Sequence, residues 1–254
     1  MKTSIQILMC PPEFYGVEYV INPWMEDNVN RYSHNLAKQQ WQQLYRVIKN
    51  QAFVKLISPQ KGWPDMVFTA NAGLLLDKTI VLSRFQNKER QGEEPHFRNW
   101  FEAQGFKIYQ IPRNLSFEGA GDALLDRGGY WLWAGYGFRS ELASHSYIAE
   151  RLNIEVISLC LVDQRFYHLD TCFCPLADGY LLYYPPAFDA GSNRLIEMRV
   201  APEKRIMVGE VDAYNFACNA VNIGQTIICN RLTDRLKRDL TVAGFHVLET
   251  PLTE

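Results

Sequence analysis

Four times along the chain, two short apolar runs flank a tight turn, and a polar residue among small neighbours opens the run. The stretches cover residues 68–82, 117–133, 167–183 and 216–229. Short apolar runs bounded by turn residues predict β-hairpins. The turns fall at Asp77-Lys78, Arg127-Gly128-Gly129, Asp178-Gly179 and Gly224-Gln225; Asp-Gly is a strong hairpin turn. The opening residues Asn71, Asp122, Asp170 and Asn219 are separated by 51, 48 and 49 positions. A fixed period of about fifty residues is the mark of a repeat.

The rest of the chain fits around these hairpins. An apolar strand is expected at 5–10, ended by Pro11 and Pro12. Leu36, Trp41, Leu44, Tyr45, Val47 and Ile48 recur at helical spacing within 31–50, and 53–57 reads as a strand. Further helices are expected at 93–104, 140–151, 189–198 and 233–243, each followed by a strand, at 106–111, 154–161, 205–208 and 245–249. Gly244 is placed to end the last helix. This makes five helices with their following strands but only four hairpins. The strand at 5–10 precedes the first helix, so it stands where a hairpin's second strand would. The simplest closure is a ring of five ββαβ units in one α/β domain spanning 1–254, its last unit incomplete. The missing strand would follow Glu254 and carry its polar residue at about position 268 if the period continues.

Composition narrows the class. The chain has 47% apolar and 21% charged residues, as an ordinary globular protein does. A net charge of −2 predicts no attraction to nucleic acid or to an anionic membrane. No apolar run reaches the roughly 20 residues that span a bilayer. Residues 1–10 carry no signal-peptide pattern, so the cytoplasm is the expected location. Cys10, Cys160, Cys172, Cys174, Cys218 and Cys229 mostly sit in apolar strand patterns and are expected to be free thiols. His168-x-x-x-Cys172-x-Cys174 lacks the second ligand pair of a zinc site, so no metal is expected. Oligomeric state is open, a homo-oligomer included.

In a ring of such units the polar residues opening the hairpins point to one end of the axis. Asn71, Glu118, Asp122, His168 and Asp170 would converge there. Carboxylates, an amide and an imidazole suit a cationic substrate rich in N–H donors, such as a guanidinium. His168, two residues before Asp170 in an extended strand, would face the same side as that carboxylate and can move a proton near neutral pH. Arg139 reads either as a surface ion-pair partner or as a clamp for a substrate carboxylate. Arg90, in a charged run, reads more readily as a surface residue.

Phe117-Glu-Gly-Ala-Gly-Asp122 and His168-Leu-Asp170 resemble the markers of the guanidino-group-modifying enzymes, the pentein or five-bladed α/β propeller superfamily. Met9-Cys-Pro-Pro12, Asn22-Pro-Trp-Met25, Trp63 to Gly73 and Phe166 to Pro175 make the whole chain similar to the N-terminal domains of cyanobacterial arginine dihydrolases. The resemblance implies a cysteine thiolate that attacks the guanidinium carbon of L-arginine, with His168 as general acid and base and Glu118 in support. Asn71 and Asp170 would hold guanidinium nitrogens. Asn22, Arg90 and Arg139 would bind the amino-acid end, and Asp122 would be structural or orient the substrate. No cofactor is implied. Deiminases carry aspartate where Asn71 stands, and the amide implies ornithine, carbon dioxide and two ammonia molecules as products. A deiminase yielding citrulline and a non-catalytic arginine-binding domain are the alternatives. None of the six cysteines matches the family's nucleophile, which is expected past residue 254, with a further domain linked to ornithine metabolism possible there. The 254-residue form by itself is expected to bind substrate and not turn it over.

Overall fold

The structure is a computed structural model that describes residues 5–254. The chain begins with β1 (Gln6–Met9), α1 (His34–Lys49) and β2 (Phe53–Leu56). A first full unit follows: β3 (Gly73–Leu76), β4 (Thr79–Leu82), the single turn α2 (Lys88–Gln91), α3 (Glu94–Ala103) and β5 (Lys107–Gln110). The second holds β6 (Ala123–Leu125), β7 (Trp131–Tyr136), α4 (Leu142–Leu152) and β8 (Glu155–Cys160). The third holds β9 (Phe173–Leu176), β10 (Tyr180–Tyr183), α5 (Ala190–Arg199) and β11 (Arg205–Met207). After a short α6 (Glu210–Tyr214) comes the fourth: β12 (Val221–Ile223), β13 (Thr226–Cys229), α7 (Asp234–Val242) and β14 (His246–Glu249).

Each full unit is a ββαβ module with one sheet. The hairpin is antiparallel, and the strand after the helix returns parallel to the hairpin's second strand. That second strand is central and has a hydrogen-bonded neighbour on both sides, so it reads as an unbroken apolar run. Leu181 and Leu182 of β10 and Ile227 and Ile228 of β13 are buried accordingly. The Asp178-Gly179 turn places both residues at positive φ, 59° and 73°, as its two-residue hairpin requires. Side-chain caps open three of the long helices: Ser33 accepts from Leu36 N–H, Asp189 from Ser192 N–H and Thr233 from Leu236 N–H.

The N-terminal unit follows the same plan with one strand fewer. β1 pairs parallel with β2, Gln6 opposite Phe53, the relation of a hairpin's second strand to the strand after its helix. Among the described residues, β1 has a partner on one edge alone. Packing joins the five units in a ring. Cys10 and Ile57 share a cluster with Ala72 and Ile80 of the first module. Leu74 and Val81 pack with Ala123 and Leu132 of the second. Trp133, Leu181 and Ile227 belong to one cluster through the second, third and fourth modules. Met9 and Ile48 meet Ile228 of the fourth. The chain after β14 crosses to α1, where Gln40 bonds the Thr253 side chain and backbone. Among the described residues no helix is long and apolar enough to cross a membrane.

Two details differ from the sequence reading. Residues 169–171 form a 3₁₀ turn, so His168 and Asp170 do not share a strand face. The opening polar residues also hold no common station. The first strands begin at Gly73, Ala123, Phe173 and Val221, and measured from them Asn71, Asp122 and Asp170 fall at different places in the entering turn. The residues that do correspond are Phe68, Glu118 and His168, each standing just before a 3₁₀ turn.

Candidate active site

Three entering turns, Thr69–Ala72, Gly119–Gly121 and Leu169–Thr171, pack against one another at one end of the ring. The middle turn is small because it must be. A Cβ on Gly119, whose φ is +65°, would lie 2.8 Å from the Ala70 carbonyl oxygen and the Gly73 nitrogen. One on Gly121 would lie 2.3 Å from Asn71 Nδ2. Glycine at both sites lets three turns approach closely enough for their side chains to meet.

His168 is 5% exposed and held at both nitrogens. Its Nδ1 lies 3.0 Å from Asp122 Oδ1, and its Nε2 lies 3.4 Å from Glu118 Oε2. Burial by itself would lower its basicity, but the two carboxylates outweigh burial and bring the imidazole up to about 9. The reverse holds for Glu118. Burial would raise its pKa, yet the hydrogen bond and charge of His168, then Arg139 and Arg90, hold it at about 2. At neutral pH the pair is therefore imidazolium and carboxylate, and the site carries a proton ready for a leaving group. Glu118 is fully engaged: Oε1 accepts from Gln86 N–H (3.2 Å), and Oε2 from Arg139 (3.2 Å). Ser140 ties the carboxylates together. Its hydroxyl donates to Asp122 Oδ2 (2.6 Å) and accepts from Glu118 N–H (2.9 Å).

Asn71 enters from the first turn. Its Nδ2 donates to the Glu118 carbonyl (3.0 Å) and lies 3.4 Å from His168 Nε2. Its Oδ1 accepts from Arg90 (3.1 Å). Arg90 is 3% exposed, against the surface placement its charged neighbourhood suggests. Glu93 grips it with both oxygens, at 2.9 and 2.8 Å, and the Asp65 carbonyl takes a further N–H at 3.1 Å. The guanidinium also stacks 4.4 Å from the Phe85 ring centre. Tyr19 donates to Asp65 Oδ2 (2.9 Å) and pins the N-terminal segment to this network.

Outside this layer is a pocket of about 350 Å³, lined among others by Asn22, Gln86, Asn87, Arg139, Gln164 and Tyr167. Asn22 caps a 3₁₀ turn there, accepting from Trp24 N–H (3.0 Å). Arg139 spans both layers: it bonds Glu118 inside, the Ile21 carbonyl outside (2.8 Å) and lies 4.7 Å from the Tyr167 ring centre. Asp170 is half-buried beside His168. Burial raises its carboxyl to about 7 against the lowering charge of His168, and Asn219 donates to its carbonyl (3.3 Å). All six cysteines are free. Burial pushes the thiols of Cys10, Cys174 and Cys229 up to about 12 and raises those of Cys172 and Cys218 well above the ordinary thiol value. Cys10, Cys160, Cys172 and Cys174 turn their sulfurs to backbone carbonyls.

Comparison with known proteins identifies the family. The family described as "N,N dimethylarginine dimethylhydrolase, eukaryotic" matches residues 20–247. The chain belongs to this dimethylarginine dimethylhydrolase family. The bifunctional arginine dihydrolase/ornithine cyclodeaminase AgrE of Nostoc sp. is 66% identical over 254 residues, 100% of this chain and 36% of the relative. The chain thus spans about a third of the length of such curated relatives. The N-terminal domain of ArgZ, an arginine dihydrolase from the ornithine-ammonia cycle in cyanobacteria, has been solved as a Cys-to-Ser mutant bound to substrate. It is 66% identical, with a TM-score of 0.97 over 98% of this chain and 92% of that one. An Asn-to-Ser variant of the same domain, covalently bound to a reaction intermediate, matches with a TM-score of 0.97 at 65% identity over 98% of this chain and 91% of that one.

The structure brings Asn71, Glu118, Asp122, His168, Arg90 and Arg139 into one connected network, with Asn22 at the pocket rim and Asp170 at the side. Asn219, the fourth opening residue, is exposed. Asp65, Glu93, Ser140 and Tyr19 were not singled out from the sequence. Asp65 stands in the Trp63-Pro-Asp run that carried the resemblance, a signal that could have found it. Glu93 and Ser140 lie in ordinary charged and polar contexts and offer no comparable mark.

Proposed function

We propose that this chain is the arginine-hydrolysing domain of an arginine dihydrolase, converting L-arginine and two waters to L-ornithine, carbon dioxide and two ammonia molecules. The observation that carries this reading is the His168 imidazole clamped between Glu118 and Asp122, with the Asn71 amide at its Nε2. Such a proton donor beside fixed carboxylates serves an amidine, whose nitrogens must leave protonated. The likeness to relatives that act on arginine supports the choice of substrate.

In this reading the nucleophile is a cysteine past residue 254, in a strand that would cover the free edge of β1. The buried thiols described above are poorly suited to the task, because the thiolate is the attacking form. The thiolate adds to the guanidinium carbon, and His168 protonates one departing nitrogen, leaving a thiouronium. Water adds, deprotonated by the same imidazole. A second nitrogen leaves as ammonia to give an S-thiocarbamate. A second water releases the thiol and a carbamate, which loses carbon dioxide to leave ornithine. Asn71 and Asp170 hold the guanidinium head, Asn22 and Arg139 take the amino-acid end, and Arg90 acts by holding Asn71.

The test uses the longer protein with arginine labelled by ¹⁵N at both terminal guanidino nitrogens. Release of both labels as ammonia with unlabelled ornithine is the expected result. One labelled ammonia with labelled citrulline would overturn the reading in favour of a deiminase, and binding without turnover would make it a binding domain.

A further inference from the structure

We propose that Glu26 accepts the α-ammonium group of the substrate, and so admits an amino acid in preference to a guanidino compound that lacks this group. The inference rests on the dihydrolase reading above, which gives the substrate carboxylate a cationic partner but leaves the ammonium without an anionic one. An α-amino acid end carries one charge of each sign, and charge-assisted hydrogen bonds to both are the strong ones. The outer pocket is lined by Arg139 and by Glu26, and among the described residues that line it Glu26 alone is acidic. Gln86 lines the same pocket, and its backbone N–H bonds Glu118 Oε1. The pocket thus reaches the inner layer, with the guanidinium site at its floor and Glu26 toward solvent. The methylene stem of arginine separates its two cationic ends in the same sense.

The neutral acceptors of this rim are already engaged. The Ile21 carbonyl accepts from Arg139 (2.8 Å), the Asn22 carbonyl from Met25 N–H (3.1 Å) and the Pro23 carbonyl from Glu26 N–H (3.3 Å). Asn22 Oδ1 accepts from Trp24 N–H. The Glu26 side chain is exposed, and among the described residues it makes no ion pair or hydrogen bond, so an arriving ammonium displaces no protein partner. The turn that carries Glu26 is nonetheless fixed. Pro23–Met25 form a 3₁₀ turn capped by Asn22. Trp24 Nε1 donates to the Arg165 carbonyl (2.6 Å), and its ring lies 5.0 Å from that of Phe216. The Trp24 carbonyl accepts from Asn28 Nδ2 (2.8 Å). Binding therefore has one side chain to order rather than a loop, which keeps its entropic cost low.

The experiment measures KM of the full-length protein for L-arginine and for its desamino analogue, in which hydrogen replaces the α-amino group, in the wild type, Glu26→Gln and Asp27→Asn. Glutamine keeps the shape of Glu26 and removes the charge. In Glu26→Gln, KM for L-arginine is expected to rise about five- to tenfold while KM for the analogue stays in place, so the preference for the amino acid falls by the same factor. Asp27 is the adjacent exposed carboxylate and does not line the pocket. Asp27→Asn makes the same change in net charge and should leave the preference as it is. An unchanged preference in Glu26→Gln overturns the proposal. So does an equal loss in Asp27→Asn, which would mark a general attraction of the more cationic substrate. The dihydrolase reading is judged separately by the products of the wild type, ornithine against citrulline. If the protein binds without turnover, the same preference is read as a ratio of dissociation constants by titration calorimetry.

Discussion

Asp122 Oδ1 lies 3.0 Å from His168 Nδ1 and accepts the backbone N–H of Leu169 at 3.1 Å. One carboxylate oxygen thus fixes both the imidazole and the strand entry that carries it. The charge sits on the far side of the ring from the proton that Nε2 would deliver, where it raises basicity without blocking transfer.

Replacing Asp122 by asparagine keeps the shape and removes the charge. In the full-length enzyme, kcat is expected to fall about 10²-fold with KM little changed. The alkaline limb of the kcat profile should move to lower pH, because His168 loses its strongest support. A rise in KM with an unmoved limb would show instead that Asp122 touches the substrate.

The same pair makes stability depend on pH. His168 is raised from 6.5 to about 9 in the folded protein. Its contribution is therefore full below pH 6.5 and lost as pH rises through 9, since the unfolded chain releases the proton first. The melting temperature should decline across that window by more than in His168→Gln. Glu118, lowered from 4.5 to about 2, works in the opposite sense: its contribution is full above pH 4.5 and lost as pH falls through 2. Parallel melting curves for wild type and His168→Gln between pH 6.5 and 9 would refute the assignment.

Gly121→Ala tests the packing of the turns. The added methyl would start 2.3 Å from Asn71 Nδ2 and 3.5 Å from His168 Nδ1. The fold should survive at a cost of about 1–3 kcal/mol, while turnover by the full-length enzyme falls far more than stability does. Thermal melts and initial rates on one preparation decide it; unaltered turnover would mean that Asn71 can give way freely.

Arg139 joins the inner carboxylate to the outer pocket. For Arg139→Ala, KM for arginine is expected to rise by about 10- to 10²-fold. The decarboxylated amine of arginine, which lacks the group Arg139 is proposed to clamp, should show no comparable change in KM. Equal losses for both compounds would confine Arg139 to supporting Glu118.

Local pattern by itself determined a good deal. Apolar runs around Asp178-Gly179 and its counterparts specify hairpins, and helical spacing with Ser33, Asp189 and Thr233 at the starts specifies helices, because both depend on contacts between near neighbours. The repeat made the ring legible, and with it the odd station of β1, later seen in the pairing of Gln6 with Phe53. Tertiary structure alone decided which of the converging polar groups bond to one another and which further charges join them. Arg90 reads as a surface residue in its charged run, yet it is buried because Glu93 and Asp65 neutralise it and Asn71 Oδ1 accepts a further N–H. A buried charge is tolerated only where partners arrive from elsewhere in the chain, and strand or helix periodicity carries no record of those arrivals. His168 and Asp170 separate for a related reason: a single 3₁₀ turn at 169–171 redirects them, and Asp122, 46 residues before His168, is the group that binds the imidazole.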